Sequence, residues 1–349
     1  MKLGLGLINT AFSAHPSINI PALEMAENLG FHSAWAAEAY GCDAVSSAAW
    51  IAAHTKGLKV GTAIMQMPAR TPAAAAMAAI GLDALSGGRF ILGLGSSGPQ
   101  VAEGWHGVNY DRPLTRTREY VAIVRQILAR EQPLTFEGYH YQLPLTGPGT
   151  TGVGKPLKSV AHTNPEQPIF LASISPGGLR CAAEIADGVL LSFVDPTDTH
   201  DIVDRHLAEG FAADGSRCTR DDFTVSTFVN VIVADDADAV IEMMKPALAR
   251  QLGGMGSKSK NFYAEFARRM GYDDEVEQIQ SLYLSGEKGK AAAAVPGDLI
   301  DRTNLIGSAE RIRERLQPWR EAQARGSLDM MLLTTEQPDA LELMAQEML

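Results

Sequence analysis

Cysteine is scarce in this chain. Cys42, Cys181 and Cys218 stand singly across 349 residues. No two have metal-ligand spacing, and an odd number leaves a disulfide framework incomplete. They read as small buried apolar side chains in a reducing cytosol. Positive charge is also short: 30 Lys and Arg face 41 Asp and Glu, a formal charge of −11. That balance argues against a nucleic acid or an anionic membrane as partner, and any anionic ligand needs a local basic patch. No apolar run is long enough to span a bilayer. The start, KLGLGLI, is strand-like and shows no signal-peptide pattern, so the expected location is the cytoplasm. The histidines lack HExxH or any other ligand spacing, so no metal is expected. No G-x-S-x-G elbow or recognisable carboxylate pair marks a hydrolase.

What the chain does have is alternation. Short, nearly continuous apolar runs lie at 2–8, 33–38, 58–65, 89–96, 168–173, 188–193, 224–233 and 328–334. Such runs suit strands covered on both faces. Helical periodicity fills 20–29, 44–54, 72–85, 115–130, 177–186, 201–211 and 237–252. Thr71-Pro72 reads as an N-cap with proline at the first helical position, and Gly30 and Gly57 stand just past helix ends. Eight strands alternating with helices predict a single (β/α)₈ TIM barrel domain over 1–349; a doubly wound open sheet is the alternative. The alternation breaks after strand four (134–167) and before strand eight (253–326), where insertions are expected to build or cover the active-site face.

Three glycine-rich stretches invite functional readings. GLGSSG, Gly93 to Gly98, matches a dinucleotide fingerprint. It follows three βα units, precedes Pro99 and lacks an acid at the end of the next strand, so the nicotinamide fold is rejected. It is a tight turn after strand four, plain or facing a ligand. GTTGVGKP, Gly149 to Pro156, lacks the Ser or Thr that would hold Mg²⁺ in a phosphate loop. It is either a surface loop or a lid carrying Lys155 and Lys158 to an anion. ASISPGG, Ala172 to Gly178, leaves an apolar strand and enters a helix. Hydroxyls, glycines and unpaired helix amides converge there, which suits a phosphate, although a Ser-Pro N-cap alone would look similar.

Taken together, AENLGF, LKVGTAIMQMPARTP, LDALSGGRFILGLGSSGPQVAEGWHG, RTREYVAIVRQIL, AAEIADGVLLSF and IGSAERIRERL run in order along nearly the whole chain. In these segments the chain resembles the luciferase-like monooxygenase superfamily, in its branch that uses coenzyme F420, a deazaflavin; FMN is the alternative cofactor. The resemblance implies a (β/α)₈ barrel and a non-proline cis peptide at Ala63–Ile64, with Thr62 and Gln66 beside it, against the cofactor ring. It implies that Gly95, Ser96, Ser97 and Gly98 border the ring, and that Ser173, Ile174, Ser175, Pro176, Gly177 and Gly178 hold the ribityl chain and phosphate. Glu38 falls where many members carry an acid after strand two; the catalytic histidine that follows it in sugar-phosphate dehydrogenases is here Ala39, which argues against that substrate. Glu38 and His106 are the candidate catalytic groups by position. Hydride transfer to or from a small organic substrate, in a homodimer, is the expected function. An FMN monooxygenase and a non-catalytic flavin-binding protein are the rivals.

Overall fold

Each apolar run becomes a strand, and the strands close on themselves. The computed structural model describes residues 1–162, 164–256 and 261–349; residues 163 and 257–260, inside the two expected insertions, lie outside it. The strands are β1 (Lys2–Leu7), β2 (Ser33–Ala36), β3 (Lys59–Thr62), β4 (Phe90–Gly95), β5 (Ile169–Ala172), β6 (Gly188–Ser192), β7 (Thr224–Val233) and β8 (Met330–Thr334). They pair in chain order, all parallel, and β8 returns to β1 with Met330 opposite Lys2. The sheet is therefore an eight-stranded barrel rather than an open one.

Because side chains alternate across a strand, one set fills the barrel and the other meets the helices. The inner set is Trp35, Ile91, Phe170, Leu190, Met330 and Leu332. Trp35 is fully buried, its ring centroid 5.6 Å from that of Phe170, and its indole N–H donates to Ser33 Oγ at 2.8 Å. Gly61 makes room for it: a Cβ there would lie 2.2 Å from the indole. This plug leaves the carboxyl ends of the strands as the open mouth, and Ala63, Ile64, Ala172 and Phe228 pack on it.

The covering helices begin where short polar residues can take their free amides. Asn19, Asp43, Thr71 and Ser175 cap α1 (Ile20–Asn28), α2 (Ala44–His54), α3 (Pro72–Ser86) and, after α4 (Pro113–Ala129), α5 (Pro176–Ile185). Each such cap contributes about 1 kcal/mol. α3 stops at Gly87, whose φ of +71° suits glycine. A π-turn, His200–Asp204, leads into α6 (Arg205–Phe211).

The stretch after α4 holds a two-stranded antiparallel hairpin, Phe136–Glu137 with Gln142–Leu143. The Glu119 carboxylate ties it to α4, accepting from the amides of Tyr139, His140 and Tyr141 at 2.7, 2.8 and 3.2 Å. The region after β7 departs from the sequence reading. The helix expected there as a barrel helix, α7 (Ala237–Gly254), packs on the added helices Asp273–Leu284 and Lys288–Ala293. Leu305–Gly307 then pairs with the end of β7, and Ala309–Arg315 with Gln317–Ala324 lead into β8. An amphipathic helix buries the same face whichever neighbour covers it, so periodicity could not tell these two packings apart.

Candidate active site at the barrel mouth

The floor of the mouth is built by β3 and β4. The Ala63–Ile64 peptide is cis, as the resemblance implies. Met65–Gln66 then resumes pairing, opposite Leu94 and Gly95. Thr62 Oγ1 donates to the Gly93 carbonyl at 2.8 Å and accepts from the Gly93 amide at 3.0 Å. A Cβ on Gly93 would lie 1.7 Å from the Thr62 carbonyl oxygen, and one on Gly95 would lie 2.3 Å from Ile64 Cδ1. The glycines of GLGSSG therefore let two strands and the Ile64 side chain come together. Ser97 adopts a φ of +58°, a conformation non-glycine residues seldom hold. Its carbonyl accepts from Tyr110 Oη at 3.0 Å, and Gly98 opens a short helix, Pro99–Gly104.

Glu38 is buried and saturated. Its two oxygens accept from Arg70 Nη1 and Nη2 at 2.8 and 2.7 Å, from the Gln66 amide at 2.6 Å and from the Ala44 amide at 3.2 Å. Such a fork-to-fork pair fixes both planes, and it raises the Arg70 pKa above its usual value. Gln66 Nε2 donates to the Glu38 carbonyl at 3.1 Å, and Gln66 Oε1 lies 2.8 Å from His106 Nε2. The sequence candidates Glu38, Gln66 and His106 thus belong to one chain of contacts. Glu38, with four donors on its two oxygens, anchors the floor and has no free lone pair directed at a substrate.

The turn after β5 combines the two sequence readings. Ser175 Oγ accepts from the Gly178 amide at 3.2 Å, an ordinary N-cap. A Cβ on Gly178 would lie 1.9 Å from Ser173 Oγ and 2.9 Å from Ser175 Oγ, so the serines close over a bare backbone. Lys155 is exposed; the backbone of its neighbour Gly154 passes near Leu145, and Lys158 donates to the Glu131 carbonyl past the far end of α4.

The family model for luciferase-like monooxygenases matches residues 14–326. The chain belongs to this family. It is 44% identical over 336 residues to a Mycobacterium tuberculosis protein named "putative coenzyme F420-dependent oxidoreductase", covering 96% of this chain and 95% of that one. Among solved structures, the coenzyme F420-dependent tetrahydromethanopterin reductase of Methanopyrus kandleri superposes with a TM-score of 0.76 at 23% identity, covering 99% of this chain and 97% of the other. An F420-dependent secondary alcohol dehydrogenase, in complex with an F420-acetone adduct, has the same TM-score at 15% identity, covering 99% and 98%. The two structures show the shared fold.

Within this luciferase-like mouth, several residues escape a sequence reading. Arg70 lies inside the quoted MPARTP segment, so a search for a cation near Glu38 could have found it. Tyr110 and Phe228 carry no local signal. Phe12, at the end of the short helix Asn9–Phe12 after β1, with Tyr40 and Trp105 from the segments after β2 and β4, forms an aromatic rim, each at least half exposed. Their ring centroids are 6.2 Å apart for Phe12 and Tyr40 and 6.4 Å for Tyr40 and Trp105. Arg269, from the inserted helix Phe262–Arg269, donates to the Ile174 carbonyl inside the Ser173 to Gly178 turn. Among the described residues no His, Cys, Asp or Glu group is arranged to hold a metal, and no helix is long and apolar enough to cross a membrane.

Proposed function

We propose that this chain is a coenzyme F420-dependent oxidoreductase acting on a small organic substrate. The carrying observation is the mouth itself: a bulged, glycine-cleared floor facing a serine- and glycine-built helix start, in a chain 44% identical to the F420-named mycobacterial protein. Glycine at 95 and at 178 leaves room for the Ile64 side chain and for the Ser173 and Ser175 hydroxyls, a lining that would fit a flat ring with a phosphate-bearing tail. The deazaflavin, when bound, supplies hydride chemistry at its C5. Ile64 would support the ring, the Ser96 to Gly98 segment would border it, and Ser173 to Gly178 would hold the tail.

His106 is the group we assign to the proton. Gln66 Nε2 is committed to the Glu38 carbonyl, so Gln66 Oε1 accepts, and His106 carries its proton on Nε2. This amide orientation is set by the network. Nδ1 is then the nitrogen left to exchange a proton with substrate or water. Arg70 and Glu38 keep that arrangement rigid.

The test is a titration with F420 and with FMN, followed by turnover of reduced F420 with enones, imines and ketones. Tight F420 binding with turnover supports the reading. Preference for FMN with a partner reductase points to a monooxygenase, and binding without turnover to a non-catalytic flavoprotein. We also infer a cytoplasmic homodimer. The free cysteines and the exposed Trp50, Met77 and Leu85 on α2 and α3 support it; light scattering on the purified protein checks the mass.

A further inference from the structure

We propose that Arg269, delivered by the inserted helical layer, is the cation that binds the cofactor's phosphate. The inference rests on the cofactor reading above and adds a residue that no glycine-rich motif marks.

The helix Phe262–Arg269 is seated firmly over the ends of β5 and β6. Its cap, Asn261, is buried; its side chain accepts from the Ala264 amide and donates to the carbonyls of Gln251 and Leu252 at 2.9 and 2.8 Å. The Tyr263 hydroxyl hydrogen-bonds Ser192 at the end of β6. Phe266 is buried, 6.5 Å from Phe193 between centroids. The last residue of the helix, Arg269, then falls at the Ser173 to Gly178 turn.

The guanidinium of Arg269 is divided. Nη2 donates to the Ile174 carbonyl. Nη1 is buried and meets no hydrogen-bond partner. Nε reaches only the Glu265 carbonyl, at 3.4 Å. The Glu265 carboxylate is occupied by Arg268 at 2.8 Å. The other charged groups nearby do not neutralise it: Arg180 pairs with Glu209 at 2.8 Å, and His206 stands 3.8 Å from the same carboxylate. Burial lowers the Arg269 pKa from its usual value, yet a guanidinium does not give up its proton in a protein. A buried, charged N–H without an acceptor is costly. An anion held by the Ser173 and Ser175 hydroxyls and the Gly177 amide would supply the missing acceptor. With Nη2 fixed on Ile174, Nη1 is oriented to give a phosphate oxygen one charge-assisted hydrogen bond.

The phosphate is common to F420 and FMN, so the test carries both. Arg269→Gln keeps a donor for the Ile174 carbonyl and removes the charge; Arg269→Lys keeps the charge and loses the fork. Dissociation constants are read by ring fluorescence for F420, for its phosphate-free deazaflavin riboside, for FMN and for riboflavin. We expect Arg269→Gln to weaken the phosphorylated cofactor that wild type prefers by about ten- to a hundredfold, and its phosphate-free partner by less than about threefold. Arg269→Lys should fall between. Equal losses for phosphorylated and phosphate-free forms, or no loss, would overturn the assignment while leaving the cofactor reading intact. Failure of wild type to bind either phosphorylated cofactor would overturn the cofactor reading and this inference with it. Circular dichroism and the thermal midpoint show whether each variant is folded; if Arg269→Gln is not, the comparison of Arg269→Lys with wild type decides in the same way.

Discussion

At the scale of single residues, the buried pair Arg70–Glu38 is the strongest local constraint on the mouth. Their side chains are only 16% and 5% exposed, so neither charge can turn to water if the other is lost. Removing one partner from such a pair typically costs about 3 to 5 kcal/mol. Glu38→Gln should therefore lower the urea midpoint by a stability loss of about 3 kcal/mol, and adding Arg70→Met should recover part of it. A double variant that loses the sum of the two single losses would show that the pair is not coupled. A second residue sets an acid limit. Burial, with Lys2 and Lys59 close by, lowers the His32 pKa from 6.5 to about 4. Because the unfolded chain takes up this proton first, stability is full above pH 6.5, declines as pH falls to about 4, and levels off below. Discounted for partial exposure, the loss is roughly 1 to 2 kcal/mol. His32→Asn should flatten the stability curve in that window relative to wild type, as read by urea midpoints from pH 4 to 8.

At the scale of elements, the barrel was legible because buried parallel strands are written as apolar runs between turn residues. The run read as 58–65 illustrates the limit: it continues across the bulge, while the structure divides it into β3 and a two-residue strand, Met65–Gln66. Apolar patterning marks burial and says nothing of a peptide's isomer; only the resemblance marked Ala63–Ile64. Glu38, Gln66 and His106 were visible as polar residues near strand ends, but their linkage through a side-chain amide was not. Arg269 was invisible because an arginine at the end of an amphipathic helix ordinarily faces solvent. Two element-level outcomes follow. Gly178→Val would push Ser173 and Ser175 aside, since even a Cβ lies 1.9 Å from Ser173 Oγ. It should weaken cofactor binding at least about tenfold while the barrel's far-ultraviolet dichroism is unchanged, because a lost charge-assisted contact is worth that much. Unaltered affinity would remove this turn from the site. The aromatic rim of Phe12, Tyr40 and Trp105 offers exposed stacking surface. Tyr40→Ala and Trp105→Ala should raise KM for apolar ring substrates several-fold, about 1 kcal/mol per lost stacking partner, without moving the F420 dissociation constant.

At the scale of the whole molecule, the formal charge of −11 opposes an anionic cofactor with an acidic tail. Two arrangements could offset that field. Exposed lysines could gather the tail, in which case affinity would fall steeply with salt, because contacts between exposed charges are screened within about 10 Å at 0.1 M ionic strength. Alternatively a half-buried cation with an enclosed N–H could hold the phosphate while the surface merely repels. Our proposal takes the second. Lys158 donates to the Glu131 carbonyl and Lys155 is exposed, whereas Arg269 donates to the Ile174 carbonyl within the turn. Salt should then weaken the long-range repulsion and leave the buried contact nearly untouched, since buried pairs are screened far less. F420 affinity should stay level or rise as salt is increased from about 0.05 M to 0.5 M. The double change Lys155→Glu with Lys158→Glu should shift the dissociation constant by no more than about threefold, the size of a weak exposed ion pair. Fluorescence titrations at the two salt concentrations check both statements. A steep salt-dependent loss that the double lysine variant abolishes would move the tail onto the loop and away from Arg269.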